Sequence, residues 1–281
     1  MLLPTFAKEV IPSGQSIGIK LELNGLLVTD VGQGTPAENC GLKKGDFVQN
    51  FTEVDEFFSA IKNGAQINVS RSGKVKTLEI PAFSGDFGAQ LKNNISGIGT
   101  LTYYDVASNE YYAIGHKVYD MQTDIELPFT NGYIYQSKIA GINLGELGNP
   151  SELKGIYSSS GKLVGKVISN EDNGIIATAN TNINKNNIIE TAQPQKGEAS
   201  ILTTINDDKI EEFSIEIVNV LNEDKDKNIS IKVTDEKLLS KTKGIAGGMS
   251  GSPILQNGKL VGVVTHVSAN EPQYGYGRTI N

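Results

Sequence analysis

The sequence predicts a mainly β protein in two parts, a small α+β segment over residues 8–85 and a larger all-β segment over residues 95–281. Three observations predict it. Apolar runs are short, rich in β-branched and aromatic residues, and broken by Gly, Asn and Asp, which is the pattern of strands separated by turns. Helical spacing of apolar residues is confined almost entirely to Val54, Phe57, Phe58 and Ile61. From Ile95 onward the runs multiply without helices between them, as in barrels and sandwiches. A chain of 281 residues is long enough for two cores.

In the first segment Ile17 to Leu23 reads as a strand, Asn24-Gly25 as a turn and Leu26-Leu27-Val28 as the next strand. Thr52 and Asp55 read as a capping-box-like pair opening the helix, and Asn63-Gly64 stops it. Ile67 to Val69 and Lys74 to Ile80 follow as strands around the turn Arg71-Ser72-Gly73. Between these lies Thr35-Pro36-Ala37-Glu38-Asn39-Cys40-Gly41-Leu42-Lys43-Lys44-Gly45-Asp46-Phe47-Val48. It resembles the short helix, turn and strand of PDZ domains, whose form is Pro-Ala-x-x-Ala-Gly-Leu-x-x-Gly-Asp. Cys40 stands where that form has a small buried alanine, so a packed, inert thiol is expected. The usual Val-Asn-Gly strand is reduced here to Gln49-Asn50-Phe51. The PDZ resemblance implies peptide binding by strand addition. It assigns Ser16, Ile17, Gly18 and Ile19 to the carboxylate-binding loop and Ile19 to Leu23 to the receiving edge.

In the second segment, strands are expected at Leu101 to Tyr104, Tyr111 to Ile114, Gly132 to Ile139, Lys162 to Ile168 and Gly174 to Ala179. Further strands are expected at Ala199 to Ile205, Ile210 to Val220 and Ile229 to Thr234, with Asn180 to Asn187 as an exposed loop. The sharpest local signal comes later. Gln256-Asn257-Gly258-Lys259 joins two apolar runs, and an Asn-Gly so placed marks a hairpin. Gly247-Gly248-Met249-Ser250-Gly251-Ser252-Pro253 feeds that hairpin. Glycines on both sides of a serine free the backbone N–H groups to face a ligand. Gly-x-Ser-Gly-x-Pro resembles the nucleophile loop of chymotrypsin-like peptidases, in which such N–H groups, here those of Gly248 and Ser250, form the oxyanion hole. Position 252 is Ser, which separates the motif from the Gly-x-Ser-x-Gly elbow. His116, in Ile114-Gly115-His116, precedes the serine as a chymotrypsin-type base does. A histidine at a strand end is also an ordinary surface or core residue.

Val10-Ile11-Pro12-Ser13-Gly14-Gln15-Ser16-Ile17-Gly18, Gly97-Ile98-Gly99-Thr100-Leu101-Thr102, Ile114-Gly115-His116, the serine loop and Thr265-His266-Val267 together resemble the stage IV sporulation protein B family. That resemblance implies a PDZ domain over 8–85 followed by a chymotrypsin-like double β-barrel over 95–281. It implies Ser250 as nucleophile, His116 as general base and Asp235 as the acid that orients it. Asp235 also reads as a helix cap, and Asp105, Asp120 and Asp207 are the alternative acids. His266 is either a recogniser of the substrate side chain or a structural histidine. The family acts in the space between forespore and mother-cell membranes. It cleaves a membrane-bound regulator and so triggers intramembrane proteolysis and the late mother-cell sigma factor. Its own N-terminal tail or a peptide would occupy the PDZ domain.

Composition limits the other classes. The net charge of −7 and the absence of a basic run argue against a nucleic-acid partner. One cysteine and two histidines exclude an internal disulfide and weigh against a metal site, so no cofactor is expected. No apolar stretch approaches the length of a membrane span. Met1-Leu2-Leu3-Pro4-Thr5-Phe6-Ala7 has no basic region and too short an apolar core for a signal peptide. The expectations are therefore a truncated chain, an anchor-free paralogue or a cytosolic peptidase. The rival from another class is a PDZ-based binding protein with a catalytically silent barrel.

Overall fold

This computed structural model describes residues 7–120, 122–123, 125, 128–180, 183–221 and 227–280. The chain start and Thr181-Asn182 of the asparagine-rich loop lie outside them. Two compact units emerge, a smaller one of Lys20–Ser96 with Tyr119–Gly132 and a larger one comprising the remainder.

The chain opens with β1 (Glu9–Pro12) and the long β2 (Ser16–Val31), then α1 (Pro36–Asn39), β3 (Phe47–Val48), α2 (Val54–Ile61), β4 (Ala65–Arg71) and β5 (Lys74–Ile80). In the smaller unit β3 pairs antiparallel with β2 and β4, and β4 with β5. Its core gathers Leu26, Val28, Val48, Phe57, Ile61 and Phe87. Phe57 makes edge-to-face contacts with Phe51, Phe58 and Phe87, an arrangement the ring quadrupoles favour. Thr35 caps α1, accepting from the Glu38 N–H. Two local expectations are corrected here. Asn24-Gly25 is no turn: β2 runs straight through it, and a Cβ at Gly25 would lie 2.6 Å from the Val48 carbonyl oxygen, so the glycine admits β3. Thr52 and Asp55 do not cap α2, whose N-cap is Glu53 with no side-chain bond.

The chain continues through β6 (Ala89–Asp105), β7 (Glu110–Ala113), β8 (Phe129–Gln136), β9 (Lys138–Asn143), β10 (Glu152–Ile156), β11 (Leu163–Glu171), β12 (Gly174–Ala179) and β13 (Ile189–Glu190). Strands β2, β8, β11, β12, β7 and β6 form a ring in that order, closed by β6 on β2. The strands β14 (Gly197–Asn206), β15 (Lys209–Val220), β16 (Ile229–Val233), β17 (Pro253–Gln256), β18 (Lys259–Val267) and β19 (Tyr274–Thr279) close a second barrel in the order β14-β15-β16-β19-β18-β17. Its core follows the period of two. Phe213, Ile215 and Ile217 on β15, and Ile229, Ile231 and Val233 on β16, point inward while their neighbours face out. Asn257 and Gly258 both have positive φ, 53° and 72°, and turn β17 into β18 as the Asn-Gly signal requires. The helix α3 (Glu236–Thr242) stands between β16 and the serine loop. No helix among the described residues is long and apolar enough to cross a membrane.

Among the described residues of the smaller unit, the Asp46 side chain is fully buried. Asp46 accepts from Arg71 Nε and Nη2, each at 2.6 Å, and from the Lys43 N–H at 2.9 Å, while Arg71 Nη2 also reaches the Gly41 carbonyl at 2.7 Å. The arginine thus ties β4 to the loop after α1. Removing one partner of a buried pair strands the other charge. Arg71→Met is expected to lower the unfolding free energy by about 3 kcal/mol in urea denaturation, whereas Lys259→Met, which breaks the exposed pair with Glu190, changes it by less than about 1 kcal/mol.

Candidate active site

Ser250 lies in a loop whose backbone is almost entirely committed. The Gly247 N–H donates to Ser151 O at 2.8 Å, and its carbonyl accepts from Leu153 N–H at 2.9 Å, so the loop runs beside β10. The Met249 N–H donates to Ala246 O, Gly251 N–H to Val264 O and Ser252 N–H to Met249 O. Among the described residues, no hydrogen-bond acceptor takes the N–H of Gly248 or of Ser250. Gly248 holds φ +93°, open to glycine without strain, and Gly251 holds +101°. A Cβ at Gly251 would sit 2.6 Å from the Ile114 nitrogen and even nearer the Thr100 carbonyl oxygen, so no other residue fits there.

His116 follows β7 through an unusual turn. Ile114 has φ +70° and the Gly115 N–H closes onto Ala113 O at 2.9 Å, which makes a γ-turn of the strained, positive-φ kind. A β-branched residue rarely adopts that conformation, and such strain persists where surrounding structure imposes it. Here Ile114 is buried and its N–H is held by Thr100 O at 3.1 Å. The imidazole Nδ1 lies 2.9 Å from Lys117 O. A carbonyl only accepts, so Nδ1 carries the proton and Nε2 is left as the acceptor, the tautomer a general base needs. Burial pushes the His116 pKa below its ordinary value of 6.5, against the opposing pull of the Lys117 carbonyl.

The structure brings Ser250, His116 and His266 into one neighbourhood. The Ser250 hydroxyl donates to the Thr265 carbonyl at 2.9 Å, next to His266 on β18, and the two imidazole rings lie 5.5 Å apart. Thr265 also borders Gly115. Asp235 makes none of these contacts. It is the N-cap of α3, and its Oδ1 accepts from the Leu238 N–H at 2.9 Å. Its alternatives are also engaged in local contacts. Asp105 accepts from the N–H groups of Ala107 and Ser108. Asp120 pairs with Lys92 and accepts from Thr123, and Asp207 pairs with Lys138. Sequence reasoning missed the carbonyl that orients His116, since every residue carries one.

Ser16, Ile17, Gly18 and Ile19 are buried in β2, a strand that pairs with β8 and β6, while β3 joins it further along, at Leu26 and Leu27. The Tyr157 ring covers Gly18, its hydroxyl donates to Ile19 O at 3.1 Å, and the Ser16 and Ser137 hydroxyls are 2.5 Å apart. Cys40 is half-buried, with its thiol donating to Ala37 O. Among the described residues no group of three or more His, Cys, Asp or Glu could hold a metal ion.

Comparison with known proteins gives one result. A family model described as SpoIVB peptidase S55 matches residues 85–281. No curated protein and no solved structure matches.

Two outcomes are expected of this geometry. The base form of His116 persists below pH 6.5, because its pKa is lowered. The acidic limb of a pH–rate profile is therefore expected below 6.5, and a limb above that value contradicts the burial argument. Asp235→Ser keeps a capping oxygen without the charge, so it is expected to retain activity and stability. Asp235→Ala is expected to lose about 1 kcal/mol in thermal or urea unfolding. A Ser variant that folds normally yet is inactive would restore the charge of Asp235 to the chemistry.

Proposed function

The chain belongs to the SpoIVB peptidase S55 family, serine peptidases of sporulation, and from that premise we propose that Ser250, His116 and the Gly248 and Ser250 N–H groups form its catalytic centre. The observation that carries the reading is the pair of N–H groups left without acceptors in a loop where their neighbours are bonded. The hydroxyl of Ser250 attacks the scissile carbonyl carbon, and its proton passes to His116 Nε2. The carbonyl oxygen takes up negative charge facing the two N–H groups. The imidazolium then gives its proton to the amine as the C–N bond breaks, and water repeats the sequence on the acyl-enzyme. In this reading the Lys117 carbonyl orients the imidazole, and Asp235 serves the site indirectly, by starting the helix that leads into the serine loop. His266, beside both groups, is proposed to meet the substrate side chain.

The substrate we propose is a membrane-bound regulatory protein in the space between forespore and mother-cell membranes, whose cleavage triggers intramembrane proteolysis and late mother-cell sigma factor activation. The motif set read in the sequence supports this. The PDZ-like segment from Thr35 to Val48, with the helix after it, supports a regulatory role for the smaller unit toward a peptide or the enzyme's own N-terminal tail, which autoprocessing would shorten. At rest Ser250 donates to Thr265 O rather than to His116, so its hydroxyl turns toward the imidazole before it attacks.

Labelling of the purified chain with a fluorophosphonate probe tests the proposal, beside Ser250→Ala and His116→Ala. Label on the wild type alone is the expected result. Labelling of Ser250→Ala as fast as the wild type, or of none of the three, would sink the nucleophile assignment.

A further inference from the structure

Building on the Ser250 reading, we infer that Thr100 is the positioning residue of the oxyanion hole. Thr100 is buried, 1% exposed, and uses all three of its polar groups on the site's backbone. Its hydroxyl donates to the Gly248 carbonyl at 2.9 Å, its N–H donates to the Ser250 carbonyl at 2.9 Å, and its own carbonyl accepts from the Ile114 N–H at 3.1 Å. The first two bonds pin the peptides on either side of the Met249–Ser250 peptide, which carries the Ser250 N–H. The third holds the strained turn that presents His116.

The other half of the hole is set from β10. C=O and N–H point in opposite directions across a trans peptide. With the Gly247 carbonyl held by Leu153 N–H at 2.9 Å, the Gly248 N–H faces away from β10. Two successive glycines leave this stretch free to turn over unless its carbonyls are held. Held by Leu153 at one peptide and by the Thr100 hydroxyl at the next, the two N–H groups keep their direction before any substrate arrives. Such preorganisation is what gives an oxyanion hole its effect. Valine at position 100 would keep the shape of threonine and release the Gly248 carbonyl; serine would lose the methyl and keep the bond.

The test is inactivation of the full chain by a fluorophosphonate over a range of concentrations, which separates kinact from KI, with thermal unfolding run on each variant. Thr100→Val is expected to lower kinact about 10- to 100-fold, with KI and the melting temperature nearly unchanged, and Thr100→Ser to stay close to the wild type. Equal kinact in Thr100→Val and the wild type overturns the inference. So does an equal loss in the Val and Ser variants, which would trace the effect to packing of the methyl group. Where the Val variant does not fold, Thr100→Ser and Thr100→Ala, which differ by the hydroxyl alone, decide it: equal kinact overturns the inference and a lower value in Ala supports it. Labelling absent from the wild type, or undiminished in Ser250→Ala, overturns the nucleophile reading and this inference with it, and no Thr100 variant alone gives that pattern.

Discussion

The proposed active-site region depends on a close backbone approach that glycine alone permits. At Gly251 the serine loop comes within contact of the Thr100 carbonyl and the Ile114 N–H, leaving no room for a side chain. Thr100 ends the Gly97-Ile98-Gly99-Thr100 stretch of β6, Ile114 leads into His116, and Ser250 precedes Gly251. Three segments far apart in the chain are thereby brought together by backbone hydrogen bonds. Gly99 belongs to the same seam, since a Cβ there would strike the Ile114 side chain. Backbone bonds of this kind fix direction as well as distance, and direction is what a nucleophile, a base and two N–H donors must share.

The histidine illustrates how that seam bears on chemistry. Left to itself, Ile114 would not choose a φ of +70°. The bond from its N–H to Thr100 O and the burial of its side chain hold it there. The strained turn lifts His116 off the strand direction of β7 and places Nδ1 against Lys117 O. A neutral carbonyl fixes the tautomer as a carboxylate would, but it stabilises the imidazolium less. The lowered pKa is consistent with that arrangement, since burial dominates and no carboxylate is among its causes. In the proposed role of base the imidazole stays neutral, at the cost of a weaker drive for proton uptake.

Much of this was legible in the sequence, and the omissions have physical causes. The Asn257-Gly258 hairpin was readable because two consecutive positive φ values select those residue types. The β-branched alternation of β15 and β16 was equally plain. β19 escaped notice although it pairs with both β16 and β18, because Tyr274-Gly275-Tyr276-Gly277 alternates aromatic with nothing. Its glycines lie where Ile245 and the Val263 carbonyl leave no space, so the strand is defined by what it must omit. Asn24-Gly25 misled for the converse reason, a close approach resembling a turn. At the proposed site, residue types pointed to Ser250, His116 and the glycines. Roles played by main-chain groups, such as Lys117 O and Leu153 N–H, leave no mark in side-chain identity.

The resting hydrogen bond of Ser250 raises the question of which constraint limits competence. A neutral hydroxyl–carbonyl bond contributes about 1 kcal/mol net. Turning the hydroxyl from Thr265 O toward Nε2 therefore costs less than about tenfold in population. Losing a single oxyanion donor costs about 10²–10³ in rate. The orientation of the Gly247–Gly248 and Met249–Ser250 peptides thus outweighs the serine rotamer by an order of magnitude or more. A serine pointing elsewhere at rest is a small obstacle when both N–H groups are already aimed. Were those peptides turned over, even a well-aligned Ser–His pair would face the larger barrier. Control of such a site belongs with the elements that hold its carbonyls, β10 and Thr100, before it belongs with the nucleophile itself.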